Sequence, residues 1–216
     1  MSEHTMTTEQ IWQAVAAERA SLADLLAPLP ESDWDRASLC AGWRIRDVVA
    51  HLILPTQPKI GTIVVALIRA RGNLDRFIAD TAIRHAGQRT PRQLLAELRA
   101  SVGSRVTVVG TTPADRLMDL LVHGQDIAVP LGLTREMPIA ATRSAIERVW
   151  TMGTPFHARK KFSGYRLVAT DTDWTAGDGP TIEGPAAALL MLLTGRTAAH
   201  AQLTGDGVAR LIAKGD

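Results

Sequence analysis

Pro113-Ala-Asp-Arg-Leu-Met-Asp-Leu-Leu-Val-His-Gly-Gln-Asp-Ile-Ala-Val-Pro-Leu-Gly132 is the stretch around which the chain is organised. Its apolar residues at 117, 118, 120, 121, 122 and 127 make a helix with a wide buried face. Thr112 and Pro113 open that helix as an N-cap followed by a first-turn proline, and Gly132 closes it as a C-terminal glycine. Asp119 and His123 stand four residues apart, so both side chains leave one side of the helix about one turn apart. A carboxylate and an imidazole so placed can share one divalent cation. His51 ends a second helical segment, Ile45-Arg-Asp-Val-Val-Ala-His51, and offers a third donor from a facing helix. An Asp–His pair at this spacing is common by chance, so the spacing alone does not decide for a metal.

Working outward, the first helix begins near Thr7 or Thr8 and runs to about Leu26, where Pro28 and Pro30 end it. A polar link, 31–42, follows, with Trp34 expected to pack back on the core. A short helix over 44–54 is stopped by Pro55 and Pro58. A long helix is expected over 58–80, extending toward Arg84 and His85 and weakened at Gly72. Thr90-Pro91-Arg92-Gln93 is a capping box with proline at the first helical position, opening a helix of 91–101. Residues 102–111 read as a connector with strand character. Short turns between so many helices mean a bundle.

Past Pro138 the pattern changes. A helix over 140–152 precedes three segments, 164–171, 173–177 and 180–184, whose alternation and Gly and Asp punctuation predict a short antiparallel meander. Pro185 opens a helix reaching Leu193, and a last helix follows Thr204. The expected class is therefore α+β: a helical domain, 1–135, and a small α+β domain, 136–216.

Composition narrows the function classes. The 216 residues are 46% apolar and 21% charged with a net charge of +2, and the arginines are scattered with few aromatics beside them. That excludes a nucleic-acid footprint. A single cysteine, Cys40, rules out an internal disulfide framework and fits a reducing cytoplasm. The N-terminus lacks the basic and apolar regions of a signal peptide, and the longest apolar run, Ile60 to Ile68, is too short for a membrane span. A cytoplasmic protein with no membrane partner is expected.

Four segments resemble the mycothiol-dependent maleylpyruvate isomerase family. Cys40-Ala-Gly-Trp-Arg-Ile-Arg-Asp-Val-Val-Ala-His-Leu52 is similar to its Gly-Trp-x-x-x-Asp-Val-Val-x-His-Leu segment. Leu121-Val-His-Gly-Gln-Asp-Ile-Ala-Val-Pro-Leu-Gly132 is similar to its His-Gly-x-Asp-Ile-Ala-x-x-Leu-Gly segment. Tyr165 to Trp174 resembles the strands that open its C-terminal domain, and Glu183 to Arg196 with Thr204-Gly-Asp206 resembles that domain's signature. The resemblance implies a DinB-like four-helix bundle followed by a small, sterol-carrier-like α+β domain. It places metal ligands on His51, Asp119 and His123, zinc or another divalent cation between them, and mycothiol as the thiol cofactor. Where the family has glutamate this chain has Asp119, one methylene shorter. The implied activity is isomerisation or thiol transfer on a small electrophile. The alternatives are a non-catalytic metal- or small-ligand-binding protein of the same fold, and an apolar-ligand binder built on the C-terminal domain. A homodimer stays open.

Several residues carry two readings. Asp47, four before His51, and Asp126, three after His123, can each hold the second nitrogen of their histidine or serve as a cap or surface ion pair. Arg196 matches an arginine that the family directs to the active site, where it would clamp a substrate carboxylate; its other reading is a helix-terminal arginine paired with Asp206 or with the helix dipole. Cys40 has no basic partner in sequence reach and reads as a buried, inert thiol. Trp43 reads as a packing residue. The run 157–162 holds three cations and reads as a solvated loop, although it can attract an anion. His4, His85, His157 and His200 fall outside any ligand spacing.

Overall fold

The computed structural model describes residues 6–56, 74–108 and 110–213. The chain divides into two compact units, Trp12–Arg135, and Glu136–Asp216 with the start of the chain up to Ile11. The architecture is α+β: mostly helical, with one small three-stranded sheet.

The helices of the first unit are α1 (Thr8–Leu26), α2 (Ile45–Ile53), α3 (Leu74–Gly87), α4 (Pro91–Ala100) and α5 (Pro113–Ala128). At nine residues, α2 is too short to hold itself helical in water. Packing holds it instead. It lies against α3, α4 and α5, and Ile45, Val48, Val49, Ala50, Leu52 and Ile53 are all buried. Fully burying one large aliphatic side chain contributes about 1.5–3 kcal/mol, so several together outweigh the cost of ordering so short a helix.

Caps fix where α4 and α5 start. Thr90 Oγ1 accepts from the Gln93 N–H at 3.2 Å while Gln93 Oε1 accepts from the Thr90 N–H at 2.8 Å. At α5, Thr112 Oγ1 accepts from the Asp115 N–H at 3.3 Å and Asp115 Oδ2 accepts from the Thr112 N–H at 2.7 Å. Past the end of α5 a 3-10 turn, Val129–Leu131, leads into Gly132 at φ +69°, the left-handed conformation that glycine adopts without strain. Arg19 of α1 is 1% exposed and donates from Nη1 to the carbonyls of Ser101 at 2.9 Å and Ser104 at 2.7 Å, just past the end of α4. Burial, with the nearby Arg116 charge, lowers its pKa to about 10.

The helix expected over 58–80 and toward Arg84 and His85 falls largely on residues outside the described ones; its described part is α3, which runs through Arg84 and His85 to Gly87. One expectation changes here. The connector 102–111 forms no strand among its described residues. Val106 and Val108 are half-buried and exposed, and without a partner edge a β-prone run has no ladder to join.

The second unit holds α6 (Ile139–Thr151), α7 (Ala158–Lys161), β1 (Arg166–Ala169), β2 (Thr175–Ala176), β3 (Thr181–Gly184), α8 (Ala186–Leu193) and α9 (Asp206–Ala213). α8 is apolar all round because it packs on α6 as well as on β1 and β3. The sheet corrects the expected antiparallel meander. Its order is β2-β1-β3; β1 pairs antiparallel with β2 and parallel with β3, in register Leu167 with Ile182. The link from β2 to β3 passes across the start of β1. A side chain at Gly177 or Gly179 would strike the carbonyls of Tyr165 and Gly164 there. Two glycines at positive φ let the chain hug β1 and emerge on its other edge, running the same way.

The Thr204-Gly-Asp206 signature also finds a local cause. Thr204 exchanges two backbone hydrogen bonds with Glu183, and Asp206 Oδ1 accepts from the Thr181 N–H at 2.6 Å, so the turn closes on β3. Among the described residues no helix is long and apolar enough to cross a membrane.

Candidate metal centre

Three side chains of the first unit converge between α2 and α5. His51 occupies the last turn of α2, on the one side of that helix that is not fully buried. Asp119 and His123 stand one turn apart on α5. Their side chains are 16%, 18% and 14% exposed, so the group is reachable but mostly dry. His51 Nε2 lies 3.4 Å from both carboxylate oxygens of Asp119, and His123 Nε2 lies 3.5 Å from Asp119 Oδ1. One ligating atom from each of the three falls within 4.8 Å of the others.

These lengths can be tested against two kinds of glue. A good N–H···O hydrogen bond spans about 2.7–3.2 Å, so 3.4–3.5 Å is long for a proton shared between these atoms. Ligands held about 2.0–2.2 Å from a tetrahedral zinc stand roughly 3.3–3.6 Å apart. The donor set, two imidazoles and one carboxylate, is also one that zinc accepts. Asp119, although shorter than the family's glutamate, keeps its carboxylate at such a separation from both imidazoles.

The other nitrogen of His123 behaves differently. Nδ1 lies 2.7 Å from Oδ2 of Asp126, a carboxylate with 0% exposure. That contact is a true hydrogen bond, and a carboxylate on Nδ1 leaves Nε2 as the nitrogen that faces Asp119. Burial disfavours charge on His123, but the bond to Asp126, the contact with Cys40 and the charge of Asp119 outweigh it and push its pKa up to about 10. Burial likewise disfavours charge on Asp119. The nearby His51, then the charges of His123 and Arg116, outweigh it and hold the carboxyl well below the usual carboxylate range. Arg116, one turn earlier on α5, reaches Asp119 Oδ2 at 3.6 Å.

Asp47 does not hold His51. Its Oδ2 accepts from the Arg44 N–H at 2.9 Å and from Arg44 Nε at 3.0 Å, and its Oδ1 accepts from Arg44 Nη2 at 3.0 Å. Asp47 is the third residue of α2, and the orphan amides of that end draw it backward, away from the last turn where His51 sits. Arg196 lies in the second unit, between α8 and a 3-10 turn, Thr197–Gln202, and donates from Nη1 to the Thr194 carbonyl at 2.7 Å. Asp206, the partner named in its other reading, accepts from the Thr181 N–H through Oδ1 at 2.6 Å.

Two residues that the sequence left as packing belong to the centre. Cys40 is half-buried, with Sγ 3.1 Å from Asp126 Oδ2 and 3.6 Å from His123 Nδ1. Trp43 stands edge-on to His51 at 5.4 Å between ring centroids and near-parallel to His123 at 6.5 Å and 15°. The separation of 83 residues between Cys40 and His123 hid the contact from any spacing rule. The available signal was that both Cys40 and Trp43 lie in the segment that ends in His51.

Residues 15–116 match the mycothiol maleylpyruvate isomerase N-terminal domain, a match that ends three residues before Asp119. No curated protein matches the chain. The fold is similar to the crystal structure of the mycothiol-dependent maleylpyruvate isomerase, with a TM-score of 0.66, 14% identity and 94% of each chain covered. It is similar as well to a histidine-to-alanine mutant of that isomerase, with a TM-score of 0.65, 13% identity and 94% of each chain covered.

Proposed function

We propose that this chain, whose residues 15–116 match the mycothiol maleylpyruvate isomerase N-terminal domain, is a zinc- and mycothiol-dependent isomerase or transferase acting on a small electrophile. The observation that carries the proposal is the set of 3.4–3.5 Å separations among His51, Asp119 and His123, too long for good hydrogen bonds and suited to a shared cation. In this reading the helical unit is a DinB-like four-helix bundle and residues 1–135 form the metal-binding domain.

His51 Nε2, the Asp119 carboxylate and His123 Nε2 would hold the ion, which with both imidazoles neutral would carry net +1. A bound zinc would supply the charge that turns a thiol into a thiolate, the nucleophilic form, at neutral pH. The surrounding residues prepare that site. Asp126 holds the His123 ring by Nδ1, so Nε2 is turned toward the ion, which would take the place of its proton. Arg116, 3.6 Å from Asp119 Oδ2, favours the ionised carboxylate. Trp43 stands beside both imidazoles, edge-on to His51 and near-parallel to His123. Arg196 is proposed, on the resemblance alone, to clamp a substrate carboxylate. The reaction classes open to such a thiolate are addition and loss across an electrophilic double bond, which isomerises it, and displacement of a leaving group. Operation in a reducing cytoplasm belongs to the same proposal.

The test is metal analysis of the purified full chain. Stoichiometric zinc, lost in His51→Ala and His123→Ala, is expected; no metal after zinc loading overturns the reading. The thiol has its own arm. Mycothiol should change the absorption of the cobalt-substituted protein, and if it neither does so nor permits turnover, mycothiol is the wrong thiol.

A further inference from the structure

We infer that Cys40 is a positioning residue of this centre, acting on His123 through Asp126; the inference rests on the metal reading above for its purpose, though not for its geometry. Asp126 is fully buried, and a buried carboxylate has to find donors for its oxygens. Its Oδ2 lies within reach of two: His123 Nδ1 at 2.7 Å and the Cys40 thiol at 3.1 Å. An S–H that donates to Oδ2 fixes the carboxylate's rotation, and the carboxylate in turn fixes the imidazole.

Cys40 is itself held from both sides. Ser38 Oγ accepts from the Cys40 N–H at 3.1 Å and donates to the Trp43 carbonyl at 2.9 Å, while the Trp43 N–H donates to the Cys40 carbonyl at 3.0 Å. The Leu39 N–H donates to the Asp126 carbonyl at 3.1 Å, tying the same turn to the backbone of α5. One rigid turn, Ser38 to Trp43, therefore delivers the thiol to Asp126 and the indole to the two histidines. The thiol sits on the Nδ1 side of His123, away from the Nε2 that faces Asp119, so for an ion held by Nε2 it supports His123 from behind.

The test uses the full chain with Cys40→Ala and Cys40→Ser, read in two ways. Cobalt(II) titration should show affinity falling about tenfold in Cys40→Ala and returning to within roughly threefold of wild type in Cys40→Ser, whose hydroxyl still donates. Nitrogen-15 histidine spectra of the metal-free protein should show the His123 ring signals, assigned with His123→Ala, shifted in Cys40→Ala and restored in Cys40→Ser. Unchanged ring signals and affinity in Cys40→Ala overturn the inference, and so does equal loss in both variants, which would make the thiol a space-filler. If the wild type binds no cobalt while the ring signals shift and recover as described, the metal reading fails and the positioning of His123 by Cys40 stands.

Discussion

Arg135 lies across Gly124: its Nε is 2.6 Å from the point where a Cβ at residue 124 would sit. From there the guanidinium reaches α1, donating from Nη2 to Glu18 Oε2 at 2.6 Å and from Nη1 to Ser21 Oγ at 2.8 Å, and the pair's side chains are only 4% and 6% exposed. Gln125 Nε2 donates to the Arg135 carbonyl at 2.7 Å and holds the arm's base. The glycine after His123 is thus a groove for a strap from the end of the helical unit to its first helix.

Gly124→Ala should cost stability by dislodging that strap. Alanine ordinarily stabilises a helix by about 1 kcal/mol over glycine, but here the arm would have to move and leave a buried pair broken, a loss of about 3–5 kcal/mol. Denaturant unfolding should show a net loss of about 2–4 kcal/mol. In an Arg135→Ala background the same substitution should cost less than about 1 kcal/mol. Additive costs would mean that the steric account is wrong.

Asp47 and Asp126 are both buried aspartates near a candidate ligand, yet they should separate cleanly. Asp47→Asn loosens the α2 cap and the hold on Arg44, lowering stability by about 1 kcal/mol with zinc affinity unchanged. Asp126→Asn should lower zinc affinity by about 10–100-fold. Calorimetric titration with zinc beside thermal melts reads both, and a loss of affinity in Asp47→Asn would return that residue to the metal centre.

Glu97 on α4 gives a pH signature away from the metal centre. It accepts from Arg89 Nε at 2.7 Å and contacts His85 Nε2 at 2.6 Å. Burial raises its pKa, but the hydrogen bonds and charges of Arg89 and His85 outweigh this and hold it below the ordinary value. A depressed folded pKa means that the contribution is complete above the unfolded value of about 4.3. It is then lost as pH falls through the folded pKa. The stability gap between wild type and Glu97→Gln, from denaturation midpoints, should therefore be steady near neutrality and close in acid. A gap that widens on acidification would show the sign to be wrong.

Trp43 should report metal binding by its fluorescence, since its ring stands beside both histidines. Cobalt(II) is expected to quench part of the emission of the five tryptophans, and Trp43→Phe should remove that quenching while leaving cobalt affinity within about tenfold. Quenching that survives in Trp43→Phe would place the ion elsewhere.

Most of the helical frame was legible because its signals are local. Thr90 and Gln93, and Thr112 with Pro113, fix helix starts through contacts three residues apart, and Gly132 ends its helix by its own backbone freedom. The i, i+4 geometry that put Asp119 and His123 on one face is also local, so it survived into the fold. The parallel pairing of β1 with β3 was not legible, because alternation marks a strand but not which neighbour it will find. Nor was the role of Cys40, whose meaning depends on a carboxylate 86 residues later.

By itself, then, the sequence determined most of the helices, where several of them start or stop, and the residue types that can bind a cation, all consequences of forces acting within a turn or two of chain. Tertiary structure decided what each of those residues touches. It sent Asp47 to Arg44 and Asp126 to His123, although each aspartate lies within a turn of a histidine. The reason is physical: a buried carboxylate must be satisfied by whichever donors the packing brings near, and only the assembled helices say which those are.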